Sequence, residues 1–207
     1  GATGWAGSAL ARAIAQTDDL RLVAGVSRQH AGHTAGEALG VPGLEAPLYR
    51  SAGEALATPC DVFFEYTHPE VARSNVTAAV LLGAHVVIGT SGLTNEDLAA
   101  LDALAREHQV GVLAVGNFSL TSLVLQKAAE LAARVLPQYE LIDYASDRKP
   151  DSPSGTAREL ANRLGRIRPP APTIPIAQTQ GPVETRGATL DGVQVHSLRL
   201  PGHVISV

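Results

Sequence analysis

Lys149-Pro150-Asp151-Ser152-Pro153-Ser154-Gly155-Thr156-Ala157 places a cation, hydroxyls and a glycine at the start of an amphipathic run. A helix beginning there presents unpaired amides, and its dipole favours negative charge at that end. Ser154 and Thr156 add hydroxyls, Gly155 admits a close backbone approach, and Lys149 can reach the same anion, so the set suits a carboxylate or phosphate. A proline-bounded helix cap with a solvated charge run would use the same residue types. Gly1-Ala2-Thr3-Gly4-Trp5-Ala6-Gly7 is a second anion signal. Glycines three apart allow a tight turn and bring a diphosphate onto the amides that open the next helix. Farther on, Ser27-Arg28 ends a short apolar run where an NAD site commonly carries an acidic residue on the ribose hydroxyls. With a hydrogen-bonding serine and an arginine in its place, the pattern favours NADPH, with NADH still usable. Gly89-Thr90-Ser91-Gly92 and Gly116-Asn117-Phe118-Ser119 also follow apolar runs. Their small residues, hydroxyls and amide fit a nicotinamide pocket, although ordinary turns draw on the same residues.

The elements that must position these residues alternate between strand and helix, the mark of a parallel sheet covered on both faces. Ser8–Gln16 has helical spacing and Leu20–Val26 reads as a strand. Residues 29–59 support only loops and a short helix. Val62–Tyr66 is a strand, Thr67-His68-Pro69 starts a helix with proline at its first position, and that helix stops at Gly83. His85–Ile88 is the next strand. Thr94 with Asp97 forms a capping box for a helix to His108, and Val110–Val115 is a further strand. After Ser119 the texture changes: a helix over Leu120–Leu136, a strand over Glu140–Ala145, a polar loop, and a helix over Thr156–Leu164 closed by Gly165. Arg166–Pro182 holds five of the 13 prolines and reads as irregular. Val193–Leu200 and His203–Val207 read as strands around Pro201-Gly202. The expected fold is α/β: a Rossmann-like doubly wound parallel sheet over residues 1–117, then a smaller mixed α+β substrate and oligomerisation domain over 118–207.

Composition narrows the partners. The 207 residues are 45% hydrophobic and 17% charged with a net charge of −4, a globular profile without the basic stripe that a nucleic-acid grip requires. Val76–Leu82 and Val110–Val115 are too short to span a bilayer. A single cysteine, Cys60, excludes an internal disulfide framework and a multi-cysteine zinc site; it reads as a small buried hydrophobe. The seven histidines show no ligand spacing, and His68 reads as a helix-cap neighbour. The reading is a soluble, cytoplasmic protein. It is also that of a fragment, because the chain lacks methionine, opens on a motif that normally follows a strand and stops inside a strand pattern.

Lys149–Ala157 resembles the K-x-D-A-P-S-G-T-A signature of the dihydrodipicolinate reductase (4-hydroxy-tetrahydrodipicolinate reductase) family. Phe64-Glu65-Tyr66-Thr67-His68-Pro69-Glu70 is similar to its D-F-T-x-P-E, Val87-Ile88-Gly89-Thr90-Ser91-Gly92 to V-I-G-T-T-G, and Gly116-Asn117-Phe118-Ser119 to A-N-F-S. With the opening glycines, these motifs fall in family order over nearly the whole chain. The resemblance implies a nicotinamide-dependent reductase of the diaminopimelate and lysine pathway that acts on a cyclic imine dicarboxylate and assembles as a homotetramer. It implies cofactor positions at Gly1, Ala2, Gly4, Trp5, Gly7, Arg28, Gly89, Thr90, Ser91, Asn117 and Phe118, and substrate positions at Lys149, Gly155 and Thr156.

One departure bears on the chemistry. The family usually carries a His-His pair four and three residues before the lysine, the first acting as proton donor; Ala145 and Ser146 stand there. Hydride delivery to a conjugated imine leaves a carbanion-like carbon that needs a proton, and a positioned acid contributes about 10²–10⁴-fold. Lys149 is the first candidate for that acid, then Asp147 and Tyr144. Two rival enzymes fit less well. A short-chain dehydrogenase needs Tyr-x-x-x-Lys, and none of the four tyrosines has a lysine four residues on. A semialdehyde dehydrogenase needs a thiol in the pocket, and Cys60 precedes its strand, on the wrong edge of the sheet. A reductase of a related cyclic imine or a catalytically silent nucleotide-binding protein is what the missing histidines would favour, and Lys149 with Ser154-Gly155-Thr156 argues against the silent form.

Overall fold

The computed structural model of the chain describes residues 1–203 in full and the backbone of Ile205–Ser206; Val204 and Val207 lie outside the described residues. Two compact units divide it, Gly1–Val115 and Gly116–Val207.

In the first unit the elements are α1 (Trp5–Ile14), β1 (Gly25–Val26), α2 (Ala35–Leu39), β2 (Leu48–Tyr49), α3 (Ala52–Ala55), β3 (Val62–Glu65), α4 (Pro69–Leu81), β4 (His85–Ile88), α5 (Asn95–Glu107) and β5 (Val112–Ala114). All its strand pairs are parallel: β1 with β2, β3 with β4 and β4 with β5. Strand–helix–strand order with parallel pairing is the Rossmann-like class. Helix α4 starts with Pro69 at its first position, where the missing amide costs nothing. It turns Ala72, Val76, Ala79 and Val80 inward, the i, i+4 stripe of a one-faced helix, and its core joins Val86, Ile88 and Leu101. The expected capping box opens α5: the Thr94 hydroxyl accepts from the Asp97 amide and the Asp97 carboxylate accepts from the Thr94 amide. The Thr94 backbone, with help from Arg73, holds the Asp97 carboxyl below its ordinary range. Cys60 is partly buried against this core, and burial pushes its thiol up.

The strand expected over Leu20–Val26 contracts to Gly25–Val26, because only those residues find a β2 partner. The first-unit strands form two separate sheets, β1-β2 and β3-β4-β5. A cavity of about 530 Å³ lies between them, lined by residues of both β1 and β3. Strand β2 and helices α2 and α3 occupy the stretch expected to hold loops and one short helix; two-residue strands and four- or five-residue helices are too short to show a period.

The second unit contains α6 (Leu120–Val135), β6 (Leu141–Ala145), α7 (Gly155–Ile167), β7 (Ala188–Leu190), β8 (Val193–Arg199) and β9 (Ile205–Ser206). Its sheet runs β7-β8-β6-β9. The central pair, β6 and β8, is parallel, and both outer strands are antiparallel to their neighbours. The strand expected over His203–Val207 is present as β9, with Val204 and Val207 outside the described residues. Helix α7 buries Thr156, Ala157, Leu160, Ala161 and Leu164, and packs Leu160, Ala161 and Leu164 with Leu141, Val193 and Val195. Within the proline-rich stretch the end of α7 and a 3₁₀ turn at Ile176–Gln178 are regular, and a second 3₁₀ turn follows at Val183–Arg186.

Gly165 does not close α7, which continues through it to Ile167. Its glycine serves close approach instead: a Cβ there would lie 2.1 Å from the Asp191 carbonyl oxygen. Alanine gains about 1 kcal/mol of helix propensity, but overpacking against a backbone atom costs about 1–3 kcal/mol. Gly165→Ala should therefore lower the urea midpoint rather than raise it. A raised midpoint would show that the contact does not require glycine.

Candidate functional site

In the first unit, α1 begins at Gly4 with no side-chain cap. The Gly4 amide donates to the Gly1 carbonyl (3.0 Å) and the Ser8 amide to the Gly4 carbonyl (2.9 Å). Among the described residues the Trp5, Ala6 and Gly7 amides have no protein acceptor, as expected for a first helical turn. A Cβ on Gly7 would fall 2.1 Å from the Gly1 carbonyl oxygen, and one on Gly1 would fall 1.9 Å from the Tyr66 carbonyl oxygen. The turn is thus closed by backbone touching backbone, and it leaves three donors at the positive end of a helix, a fit for a diphosphate. Trp5 is exposed beside it, and Ala2 is tied to β1 by its amide on the Val26 carbonyl (2.8 Å).

Ser27 and Arg28 sit just beyond β1, but in different settings. Ser27 is buried; its hydroxyl pairs with the Thr3 hydroxyl (2.8 Å) and accepts from the His30 amide (3.3 Å). It ties the glycine turn to the strand end. Arg28 is exposed and is the member of the pair that can meet a phosphate.

The turn after β4 is held from below by a buried acid. Glu65, at the end of β3, is fully buried. Its carboxylate accepts from the Thr67 hydroxyl, the Asn75 side-chain amide (3.0 Å) and the Thr90 hydroxyl (3.3 Å). Thr90 Oγ1 also accepts from the Thr67 amide (2.8 Å). Gly89 lies on the Tyr66 ring, where a Cβ would fall 2.0 Å from the ring, and Ser91 is exposed at the tip.

In the second unit, Ser154 caps α7: its hydroxyl accepts from the Ala157 amide (3.2 Å) and its amide donates to Asp143 Oδ2 (2.8 Å). Ser154 is 1% exposed. It shapes the helix start, and the donors left there among the described residues are its own hydroxyl proton and the Gly155 and Thr156 amides. The Thr156 hydroxyl is engaged by the segment before α6. It accepts from the Asn117 side-chain amide (3.1 Å) and donates to the Gly116 carbonyl (3.3 Å). The Gly116 amide donates to Glu159 Oε2 (2.8 Å), and Asn117 Oδ1 accepts from the Ser119 amide (2.8 Å). Phe118 is half exposed.

The three acid candidates separate. Lys149 is partly buried and pairs with Asp151 at 2.7 Å, in the loop that leads to the cap. Asp147 is exposed in the turn after β6 and accepts from the Ser146 hydroxyl (3.1 Å). Tyr144 is on the other face of β6 from Asp143. Successive strand side chains point to opposite faces, and while Asp143 reaches Ser154, Tyr144 stacks on His203 with centroids 5.4 Å apart. The sequence also left unnoticed Thr3, Glu65, Asn75, Asp143, Glu159 and Arg199. Glu65 lies inside a quoted motif, but nothing in spacing marks it as buried. Among the described residues, no cluster of His, Cys, Asp or Glu could hold a metal ion, and no helix is long and apolar enough to cross a membrane.

A parallel α/β unit with a glycine-closed helix start, followed by a mixed α/β unit with a second helix start whose amides are open, is an arrangement that nicotinamide-dependent oxidoreductases use. Residues 1–118 match the family described as dihydrodipicolinate reductase, N-terminus, and residues 121–206 match dihydrodipicolinate reductase, C-terminus. The chain belongs to this family. It is 34% identical over 203 residues to the 4-hydroxy-tetrahydrodipicolinate reductase of Syntrophomonas wolfei, covering 98% of this chain and 76% of that protein. It is 36% identical over 191 residues to that of Bacillus cereus, covering 90% and 71%. The fold is similar to dipicolinate-bound dihydrodipicolinate reductase from Paenisporosarcina sp. TG-14, at a TM-score of 0.70 and 29% identity over 98% of this chain and 77% of that one.

Proposed function

We propose that this protein reduces 4-hydroxy-tetrahydrodipicolinate to tetrahydrodipicolinate: loss of the hydroxyl as water gives a conjugated imine, which takes up one hydride and one proton, with NADPH preferred over NADH. The observation that carries the reading is the start of α7, where the Gly155 and Thr156 amides are open while Ser154 and Asp143 fix their direction. Those two amides and Lys149 hold a ring carboxylate, since a helix N-terminus and an ammonium group together neutralise one negative charge. In the first unit the Trp5, Ala6 and Gly7 amides hold the cofactor diphosphate, Arg28 holds the 2′-phosphate, and Gly89, Thr90 and Ser91 border the nicotinamide; Asn117 and Phe118, the other cofactor positions that the sequence implies, belong to the second unit. When bound, the dihydronicotinamide supplies a hydride. Lys149 carries the proton that the resulting carbanion-like carbon takes up, the task given elsewhere in the family to a histidine. A homotetramer in the cytoplasm completes the reading, supported by family membership. The direct test is NADPH oxidation with freshly prepared substrate; no turnover above background, with NADPH still bound, would leave the nucleotide-binding alternative standing.

The cofactor preference has its own test. Arg28→Ala should weaken NADPH binding by about 1–3 kcal/mol, the scale of a hydrogen bond to a charged group, and leave NADH nearly unchanged. Equal losses for both nucleotides would remove Arg28 from the phosphate site.

A further inference from the structure

Asp143 is fully buried in β6, where a carboxylate is costly unless donors surround it. Its Oδ2 accepts from the Ser154 amide (2.8 Å), the Ser197 hydroxyl (3.3 Å) and Arg199 Nη2 (2.9 Å). Burial alone would raise this carboxyl's pKa, but the Ser154 amide and Arg199 outweigh it and hold the group below its ordinary range. Arg199 ends β8, opposite Ala145 in the parallel register. Its Nη2 donates to the Asp151 carbonyl as well (2.7 Å), and its Nη1 to the Leu198 carbonyl (2.9 Å). One guanidinium and one carboxylate thus pin both ends of the Asp151–Ser154 stretch to the β6–β8 pair.

We infer that Asp143 and Arg199 are positioning residues for substrate: they aim the Gly155 and Thr156 amides at the carboxylate without touching it. This rests on the assignment of those amides under the proposed function. The guanidinium divides the work between two nitrogens in one plane, Nη2 on the Asp143 carboxylate and the Asp151 carbonyl and Nη1 on the Leu198 carbonyl, a spread that the single nitrogen of a lysine does not reproduce.

The test uses dipicolinate as the probe, with NADPH affinity, kcat and melting temperature measured in parallel on Arg199→Lys and Asp143→Asn. The expected result for a folded variant is a dipicolinate Kd and a substrate KM raised about tenfold, with NADPH affinity unchanged and kcat at saturation within about twofold. A dipicolinate Kd within twofold of the parent protein overturns the inference, as does an equal loss of NADPH affinity, which would mark a general loosening. Should the variants not fold, hydrogen exchange on the unaltered protein decides: the Ser154 amide should exchange as slowly as the β6 amides, and exchange at the rate of an open loop overturns the inference. Lys149→Ala separates the two levels. If it leaves dipicolinate binding intact, the site assignment fails and this inference with it; if it abolishes binding while Arg199→Lys does not, only the inference fails.

Discussion

Lys149→Ala should lower kcat/KM for the cyclic imine by about 100-fold or more. A charge-assisted hydrogen bond contributes about 1.5–3 kcal/mol, and a proton donor adds about 10²–10⁴-fold to turnover. If the lysine only binds, KM carries the loss; if it also gives the proton, kcat falls too. The expected outcome is mixed, because Ala145 and Ser146 offer no imidazole beside it. Lys149 already faces the Asp151 carboxylate at 2.7 Å, so the substrate must compete for it. Asp147→Asn and Tyr144→Phe should leave turnover within about twofold, since Asp147 is solvated and Tyr144 stacks on His203. Steady-state kinetics on the three variants settles the ranking. An unchanged kcat/KM in Lys149→Ala would sink both the site and the reaction.

Gly7→Ala should weaken NADPH at least tenfold, about 1.4 kcal/mol or more, with little effect elsewhere in the fold. The added Cβ would stand 2.1 Å from the Gly1 carbonyl oxygen and 3.0 Å from the Ala2 Cα. Both are backbone atoms, so no side-chain rotation relieves the clash and the turn must open. Opening it rotates the Trp5, Ala6 and Gly7 amides away from a shared focus, which matters more than a small loss of helix stability. Fluorescence titration with NADPH reads the effect directly. Affinity within twofold of the parent protein would show that the glycine turn is not the diphosphate cradle.

What the sequence made legible is what depends on near neighbours. The α5 capping box, Pro69 at the head of α4 and the strand at His85–Ile88 all stand where residue type and period put them. Gly165 shows the limit. A glycine near the end of an apolar stripe reads as a stop, and only the Asp191 carbonyl, 26 residues along the chain, explains why α7 runs through it. The site divides in the same way. The open amides at the starts of α1 and α7 follow from motifs, because a helix start is a local event. Glu65, Asp143 and Arg199 were invisible because their partners arrive through strand register and through the fold. A buried ionic residue at a strand end reads, in one dimension, like any solvated one. Ser154 and Ser27 show the same limit: the sequence offers each hydroxyl to a ligand, and it does not show that one also caps α7 and the other also meets the Thr3 hydroxyl.

The Thr156 hydroxyl, shared between the Asn117 side chain and the Gly116 carbonyl, makes the two segments thermodynamically reciprocal. Any molecule that moved this hydroxyl from the α7 side would disturb the Gly116–Asn117 segment as well, and one that moved it from that segment would disturb the helix start. Linkage requires the two effects to be equal in free energy, whichever ligand comes first.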